Sequence, residues 1–431
     1  MADKSLTARR VIKSILKALL LALFLLLIWV DQSAPVGLSS ARSMGLAGAY
    51  TAVAKDFEAP LWNPANLSFK DNREFSLNLF SLGVFVENNA FSLKDYNQYN
   101  GRFWEDEDKD NILSLIPSTG LNLDAQAEAC ILGLAGGPLA LVSWVTGVSD
   151  ISLPKDPFEL LLFGNQMEDT ISLEGTSGEA YAYGTLSLSY GQFIYRNEEK
   201  EIGIGVNLKF LQGIIYKKIV KASGEIRIKE SEIEGESDLV LHSASGGRGY
   251  GIDLGIAAKM NKKWTLSFFL SDPFGQIKWY RKTEEKGYQF QIDSLNLSNS
   301  DDDSVVLSED YEKDIEPFVT HLPVIVKTGF AYQAKKILIS FDWEQGLEEG
   351  PGVSKTPRFS LGSELKLVGF LPLRGGVSFG GKEGVTLCGG FGLYMAAFYL
   401  DIGIANKKAL FPNSSKGLGI SLGLGLRSQN M

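Results

Sequence analysis

The chain has 431 residues, a net charge of −9, 46 glycines, 11% aromatic residues, and only two histidines and two cysteines. The acidic balance speaks against nucleic acid as a partner, because backbone binding needs a basic stripe. A mean hydropathy of +0.01 with one long apolar run excludes a bundle of membrane helices, but it suits a membrane barrel, where lipid-facing and lumen-facing residues alternate and cancel.

The first stretch is basic, with Lys4, Arg9, Arg10, Lys13 and Lys17 ahead of an apolar run from Ala18 to Val30. A spanning helix needs about 20 apolar residues, so this run is short for an anchor and right for an export signal. We expect a signal peptide over 1–34, cut between 34 and 41, where Ser39-Ser40-Ala41 offers small residues. The rival reading is an uncleaved anchor holding a periplasmic domain.

The next segment, Ser40 to Leu67, breaks the pattern of everything after it. Its small residues Gly45, Ala47, Gly48, Ala49, Ala52 and Ala54 let a short helix pack tightly against other backbone. Asn63-Pro64 then forces an extended or turning exit. We expect a plug, or hatch, over 35–70 and a β-barrel over 71–431.

From there the chain reads in twos, the period of a half-buried strand. Ile202, Ile204, Val206, Leu208 and Phe210 interleave with Gly203, Gly205, Asn207 and Lys209. The same rhythm runs through Tyr250–Ala257, Ile337–Trp343, Phe359–Leu367 and Leu418–Leu426. About 14 strands are predicted, many of ~9–11 residues, the length a tilted strand needs to cross a bilayer. Short turns are expected at 261–263, 334–336, 369–372 and 381–384. Aromatics gather near strand ends (Tyr190, Trp264, Trp279, Trp343, Tyr394, Tyr399) as interfacial girdles require. Acidic stretches at 105–110, 230–238 and 301–316 read as solvated loops; they lack the ligand spacing of a calcium loop. Cys130 and Cys388 read as small hydrophobes in strands, with neither metal spacing nor a disulfide framework.

The 42–67 segment, running Arg42-x-x-Gly45-x-x-Gly48-Ala49-Tyr50-x-Ala52-x-Ala54-x-Asp56 and then Trp62-Asn63-Pro64-Ala65-x-Leu67, resembles the N-terminus of the FadL-like outer-membrane superfamily, including its PorV-like and TraF-like branches. Leu371 to Gly381, Gly389 to Leu393 and Asp401-Ile402-Gly403 are similar to the family's closing part. Position 66, where the family pattern has glycine, is Asn. The resemblance implies an all-β transmembrane antiparallel barrel of 14 strands with a short helical hatch in its lumen, located in the cell outer membrane. It also implies passive uptake of small hydrophobic molecules, with Met44, Leu46, Tyr50, Phe57, Trp62, Asn63 and Pro64 lining or gating the route.

Catalytic chemistry finds little footing. His242-Ser243 is the one hydrolase-like pair, and adjacent strand residues point to opposite faces. No cofactor, metal or enzymatic activity is expected. Outer-membrane lipid is the expected partner, with two competing functions beyond it. One is uptake of a small hydrophobic molecule, which an apolar cavity against the hatch side chains would favour and a lumen sealed by charged pairs would disfavour. The other is a PorV-like docking or structural role, in which the acidic loops hold a secreted or envelope protein.

Overall fold

The computed structural model describes residues 39–72, 75–164, 169–229, 232–295, 305–382, 384–409 and 411–428. The expected signal over 1–34 and the acidic run at 301–303 lie outside the described residues. In chain order the strands are β1 (Ser76–Asn88), β2 (Leu121–Gly136), β3 (Leu139–Leu153), β4 (Asp169–Ser172), β5 (Ser177–Arg196), β6 (Lys200–Ile228), β7 (Ile233–Ala244), β8 (Gly247–Met260), β9 (Trp264–Ser271) and β10 (Gln276–Trp279). They continue with β11 (Glu284–Leu295), β12 (Val306–Asp314), β13 (Phe318–His321), β14 (Ile325–Gln333), β15 (Ile337–Gly346), β16 (Arg358–Val368), β17 (Leu371–Gly380), β18 (Gly384–Met395), β19 (Phe398–Lys407) and β20 (Gly417–Arg427).

Fourteen of them, β1, β2, β3, β5, β6, β8, β9 and β14 to β20, pair antiparallel in sequence order. The ring closes when β20 pairs with β1, Ser76 opposite Arg427 and Glu87 opposite Gly417. Closure leaves the wall without a free edge, which is why strands can cross lipid at all.

The alternation seen in the sequence lands inside out relative to a soluble protein. On β6, Ile204, Leu208 and Phe210 are exposed while Asn207 and Lys209 are buried. On β16, Phe359, Leu361 and Leu365 point out, and Ser360 and Glu364 point in. Lipid covers the apolar face, and the lumen takes the polar one. Trp264 and Tyr332 pack with ring centroids 4.4 Å apart beside Phe330 at one rim, the amphipathic arrangement an interface favours.

The two ends differ. Short turns join β2 to β3, β5 to β6, β8 to β9, β14 to β15, β16 to β17 and β18 to β19, on the side where β1 begins and β20 ends. Asn261 and Lys262 take the left-handed backbone that so tight a β8–β9 turn requires. The other end carries the long connections, the outward side of an outer-membrane barrel. There, helices Leu93–Tyr99 and Asp106–Leu115 lie between β1 and β2, and the latter contains most of the acidic stretch expected as loop. Acidic residues in a first turn complement the helix dipole, and Asp106, Glu107 and Asp108 occupy it.

Beyond the barrel rim, the upper half of β6 continues into a five-stranded sheet ordered β4–β6–β7–β11–β12. The described parts of the second and third acidic stretches are therefore mostly strand rather than loop. Cross-strand pairing lets the acids share lysines, as where Lys286 meets Glu284 and Glu312. No described helix is long and apolar enough to cross a membrane. Cys130 and Cys388 are both buried, and neither forms a disulfide.

Candidate functional site: the hatch and its seat

The plug segment is four short turns rather than one helix: Ala41–Gly45, Asp56–Glu58, Ala59–Trp62 and Pro64–Ser68. Left-handed backbone at Ala47 and Gly48, and again at Asp56, stops the helix twice. Ser40 caps the first turn, accepting from the Ser43 amide, and Asn63 caps the last, accepting from the Ala65 amide at 2.9 Å. Asn66, where the family pattern has glycine, donates to the carbonyls of Thr51 (3.0 Å) and Ala54 (2.9 Å) and ties the two halves of the hatch together.

The hatch lies against the inner wall where strand side chains are missing. A Cβ on Gly205 would sit 2.3 Å from Ala65 N, and one on Gly203 would fall 1.8 Å from Ser68 Oγ. Gly362 and Gly376 leave the same room for Leu46. Strand glycines normally weaken a sheet and mark a close backbone approach. Here the hatch makes that approach.

All seven residues singled out in the sequence are buried in this seat. Leu46, Tyr50, Phe57 and Trp62 share a cluster with Cys130, Val142, Trp144, Leu338 and Tyr399. Tyr50 and Trp62 meet edge to face at 5.6 Å. Met44 belongs to a separate cluster with Ala47, Phe85, Cys388 and Ala405. Asn63 donates to the carbonyls of Ile256 and Phe268, both at 3.1 Å, which pins the hatch turn to β8 and β9.

The charged residues of the seat escaped the sequence reading. Arg42 grips Glu364 through Nε (2.8 Å) and Nη2 (3.1 Å). Glu364 also accepts from Arg374 Nε at 2.8 Å, and Arg374 reaches Asp401 Oδ1 and Tyr394 Oη, both at 2.6 Å. Glu58 accepts from Ser40 Oγ (2.6 Å), Tyr50 Oη (2.8 Å) and Arg427 Nη2 (3.2 Å). Asp342 takes the Tyr50 and Thr51 amides at 3.1 and 2.8 Å. Buried charges persist only when paired and hydrogen-bonded; Arg42, Arg374, Arg427, Glu58, Glu364 and Asp401 are joined in ion pairs, whereas Asp342 is held through Oδ2 by the two hatch amides. The sequence signal was present: Arg374, Asp401 and Arg427 sit on the inward phase of apolar-alternating strands, where a charge needs a partner. At the lower rim Asp71 bridges Lys55 and Lys259. Burial works to raise its pKa, yet the two ammonium groups hold it well below the ordinary carboxylate range.

Above the hatch, toward the long-loop end, lies a cleft lined by Glu87, Asp124 and Gln126 on one side and Lys327, Glu344, Arg358 and Lys382 on the other. Gly352 and Val353 of the β15–β16 loop roof it, and none of the seven predicted residues lines it. Lys327 pairs with Glu344 at 2.8 Å, and its ammonium lies 4.2 Å from the Trp62 ring centroid, linking cleft to hatch. His242 meets Glu285 at 2.9 Å in the outer sheet.

A family model described as "Family of unknown function (DUF5723)" matches residues 64–244 and 216–399. No curated protein matches the chain. In fold it is similar to the toluene transporter TodX of P. putida, at TM-score 0.53 and 11% identity over 93% of this chain and 100% of that one. It is also similar to a FadL homologue of Pseudomonas aeruginosa, at TM-score 0.50 and 13% identity over 93% and 99%. The structural neighbours are thus FadL-family outer-membrane barrels, channels rather than enzymes, and the closed barrel with its apolar outer face fits an outer-membrane location.

Proposed function

This chain belongs to the family of unknown function DUF5723, and from that premise we propose that it is a hatch-gated outer-membrane channel whose cargo is small hydrophobic molecules. The observation that carries the reading is how the hatch is seated. A 14-stranded wall encloses more space than its own side chains fill, and the space is taken by a separate N-terminal plug resting on strand glycines. Where the plug rests on bare backbone it can lift without repacking wall side chains, and Arg42–Glu364 and Glu58–Arg427 are the ion pairs it must part. Met44, Leu46, Tyr50, Phe57, Trp62, Asn63 and Pro64 then act as the gate, exposing their apolar faces to a solute as the hatch shifts. The fold is shared with a toluene transporter, which supports this cargo class.

A second reading has its own observation. Charged pairs close the lumen beside and above the hatch, and a five-stranded sheet stands beyond the rim. Both favour a docking or structural envelope protein that holds a secreted partner. Native mass measurement in mild detergent, with solvent extraction, separates the two. A stoichiometric small apolar molecule is expected. An empty barrel carrying a second protein would overturn the channel and establish the platform. Deleting residues 41–68 should turn a silent barrel into a conducting one in planar bilayers, and equal silence would also count against a gate.

A further inference from the structure

Two acids of the cleft above the hatch, Glu87 and Asp124, belong to a row of three that the barrel wall places side by side. Glu87 on β1 is directly opposite Asp124 on β2, and Asp124 is directly opposite Asp150 on β3. Like charges directly opposite one another destabilise a sheet, so each carboxylate calls for a cation. The two outer ones have theirs. Lys407 and Lys408 reach Glu87 at 3.2 and 3.5 Å, and Lys382 crosses the lumen to Asp150 at 2.5 Å. Among the described residues the middle one has no ion pair of its own: Lys382 and Lys408 act on Asp124 only while paired to its neighbours, Asp124 is only 8% exposed, and its Oδ1 has no hydrogen-bond partner. Two residues along the same face of β2, Gln126 is 6% exposed, and its Oε1 is likewise unsatisfied. Both side chains line the cleft.

Two buried acceptors, one anionic, facing an open cleft specify a donor that is cationic and carries several N–H groups. Oxygen-coordinated metals want more ligands than this pair supplies, and no described cluster of three acidic, His or Cys residues has metal-holding geometry. We infer that the cleft is a binding site for a small primary ammonium group, received by Asp124 and Gln126 beneath the β15–β16 loop. The roof fits that use: Gly352 lies over Gln126, and a Cβ there would crowd its amide nitrogen at 3.1 Å. A side chain there would narrow the entrance. This site goes beyond the channel reading and does not depend on which cargo passes.

The test is calorimetric titration of the full barrel in detergent with n-butylammonium chloride, with n-butanol and calcium chloride as parallel titrants. Saturable one-to-one binding of the amine is expected, without binding of the alcohol. Asp124→Asn should weaken it by about tenfold or more, the worth of a charge-assisted hydrogen bond. Gln126→Leu should weaken it less, and Glu284→Gln in the outer sheet should leave it unchanged. Asp124→Asn relieves repulsion in the acid row, so the barrel should fold at least as well, which its heat-modifiable gel mobility verifies. No saturable amine binding, equal binding by Asp124→Asn, or calcium binding that shuts the amine out would each overturn the assignment. A barrel that binds the amine but passes no solute would leave this site standing and remove the channel.

Discussion

Two walls of the same lumen hold the hatch by different physics. Along β5, β6 and β8 the turn Pro64–Ser68 rests on Gly191, Gly203, Gly205 and Gly255, with Asn63 hydrogen-bonded to strand carbonyls. That wall works by shape. Along β16 to β20 the contact adds Arg42, Glu364, Arg374, Asp401, Arg427 and Glu58 in one connected set of buried charges. A shape contact is short-ranged and fails with the first added atom. A buried charge set tolerates small shifts, but losing one member strands the others without a counter-charge. The difference suggests that a hatch movement begins where water can replace a hydrogen bond and ends where charges must be parted.

The largest expected effect is on the charged wall. Arg374→Met leaves Glu364 and Asp401 short of a counter-ion, and we expect a loss of about 3–5 kcal/mol in urea unfolding of the lipid-embedded barrel. A change near zero would mean that water already shares the load there. On the shape wall, Gly205→Ala puts a methyl 2.3 Å from the Ala65 nitrogen and the Pro64 carbonyl carbon. The cost should be about 1–3 kcal/mol, with raised single-channel conductance as the hatch lifts; unchanged conductance would show that the hatch moves as a whole with its wall. Asp71→Asn loosens the lower rim by no more than about 1 kcal/mol, because that carboxylate is more than one-third exposed. Its folded pKa is depressed, so its contribution is present above the ordinary carboxylate range and fades as pH falls below it. Melting curves of wild type and variant should therefore converge in acid.

The smallest effect is away from the hatch. In the outer sheet, hydrogen bonds from Lys313 and His242 hold Glu285 down to about 2. Its contribution is complete above the ordinary value of 4.5 and lost as pH falls through about 2. Pepsin cleavage within β11 and β12 should accelerate over that window while cleavage within the barrel strands does not. Uniform acceleration would mean that the sheet and barrel unfold as one unit.

The barrel was legible because its cause is local. Ile204, Leu208 and Phe210 alternate with Gly205, Asn207 and Lys209 whatever the rest of the chain does, and a period of two with a lipid-facing phase dictates a crossing strand. The hatch was legible as a break in that period, and Tyr50, Trp62 and Asn63 were singled out within it. The role of Gly203 and Gly205 was not: a glycine on the inward phase reads as a small luminal residue, and only the arrival of Ala65 and Ser68 shows why a side chain would not fit. The acidic stretches at 230–238 and 301–316 looked like loops because charge usually means solvent. Pairing of β7 with β11 and of β11 with β12, across connections no local pattern predicts, turned their described parts into a sheet.

By itself the sequence determined the class of wall and its approximate strand count, since both follow from spacing along one chain. Only the tertiary structure decided which charges meet. Arg42 and Glu364 are 322 residues apart, and the Glu87–Asp124–Asp150 row exists only because closure brings β1, β2 and β3 into one register. Charge pairing depends on distance in space, and a closed ring of fourteen strands sets those distances after every local choice has been made.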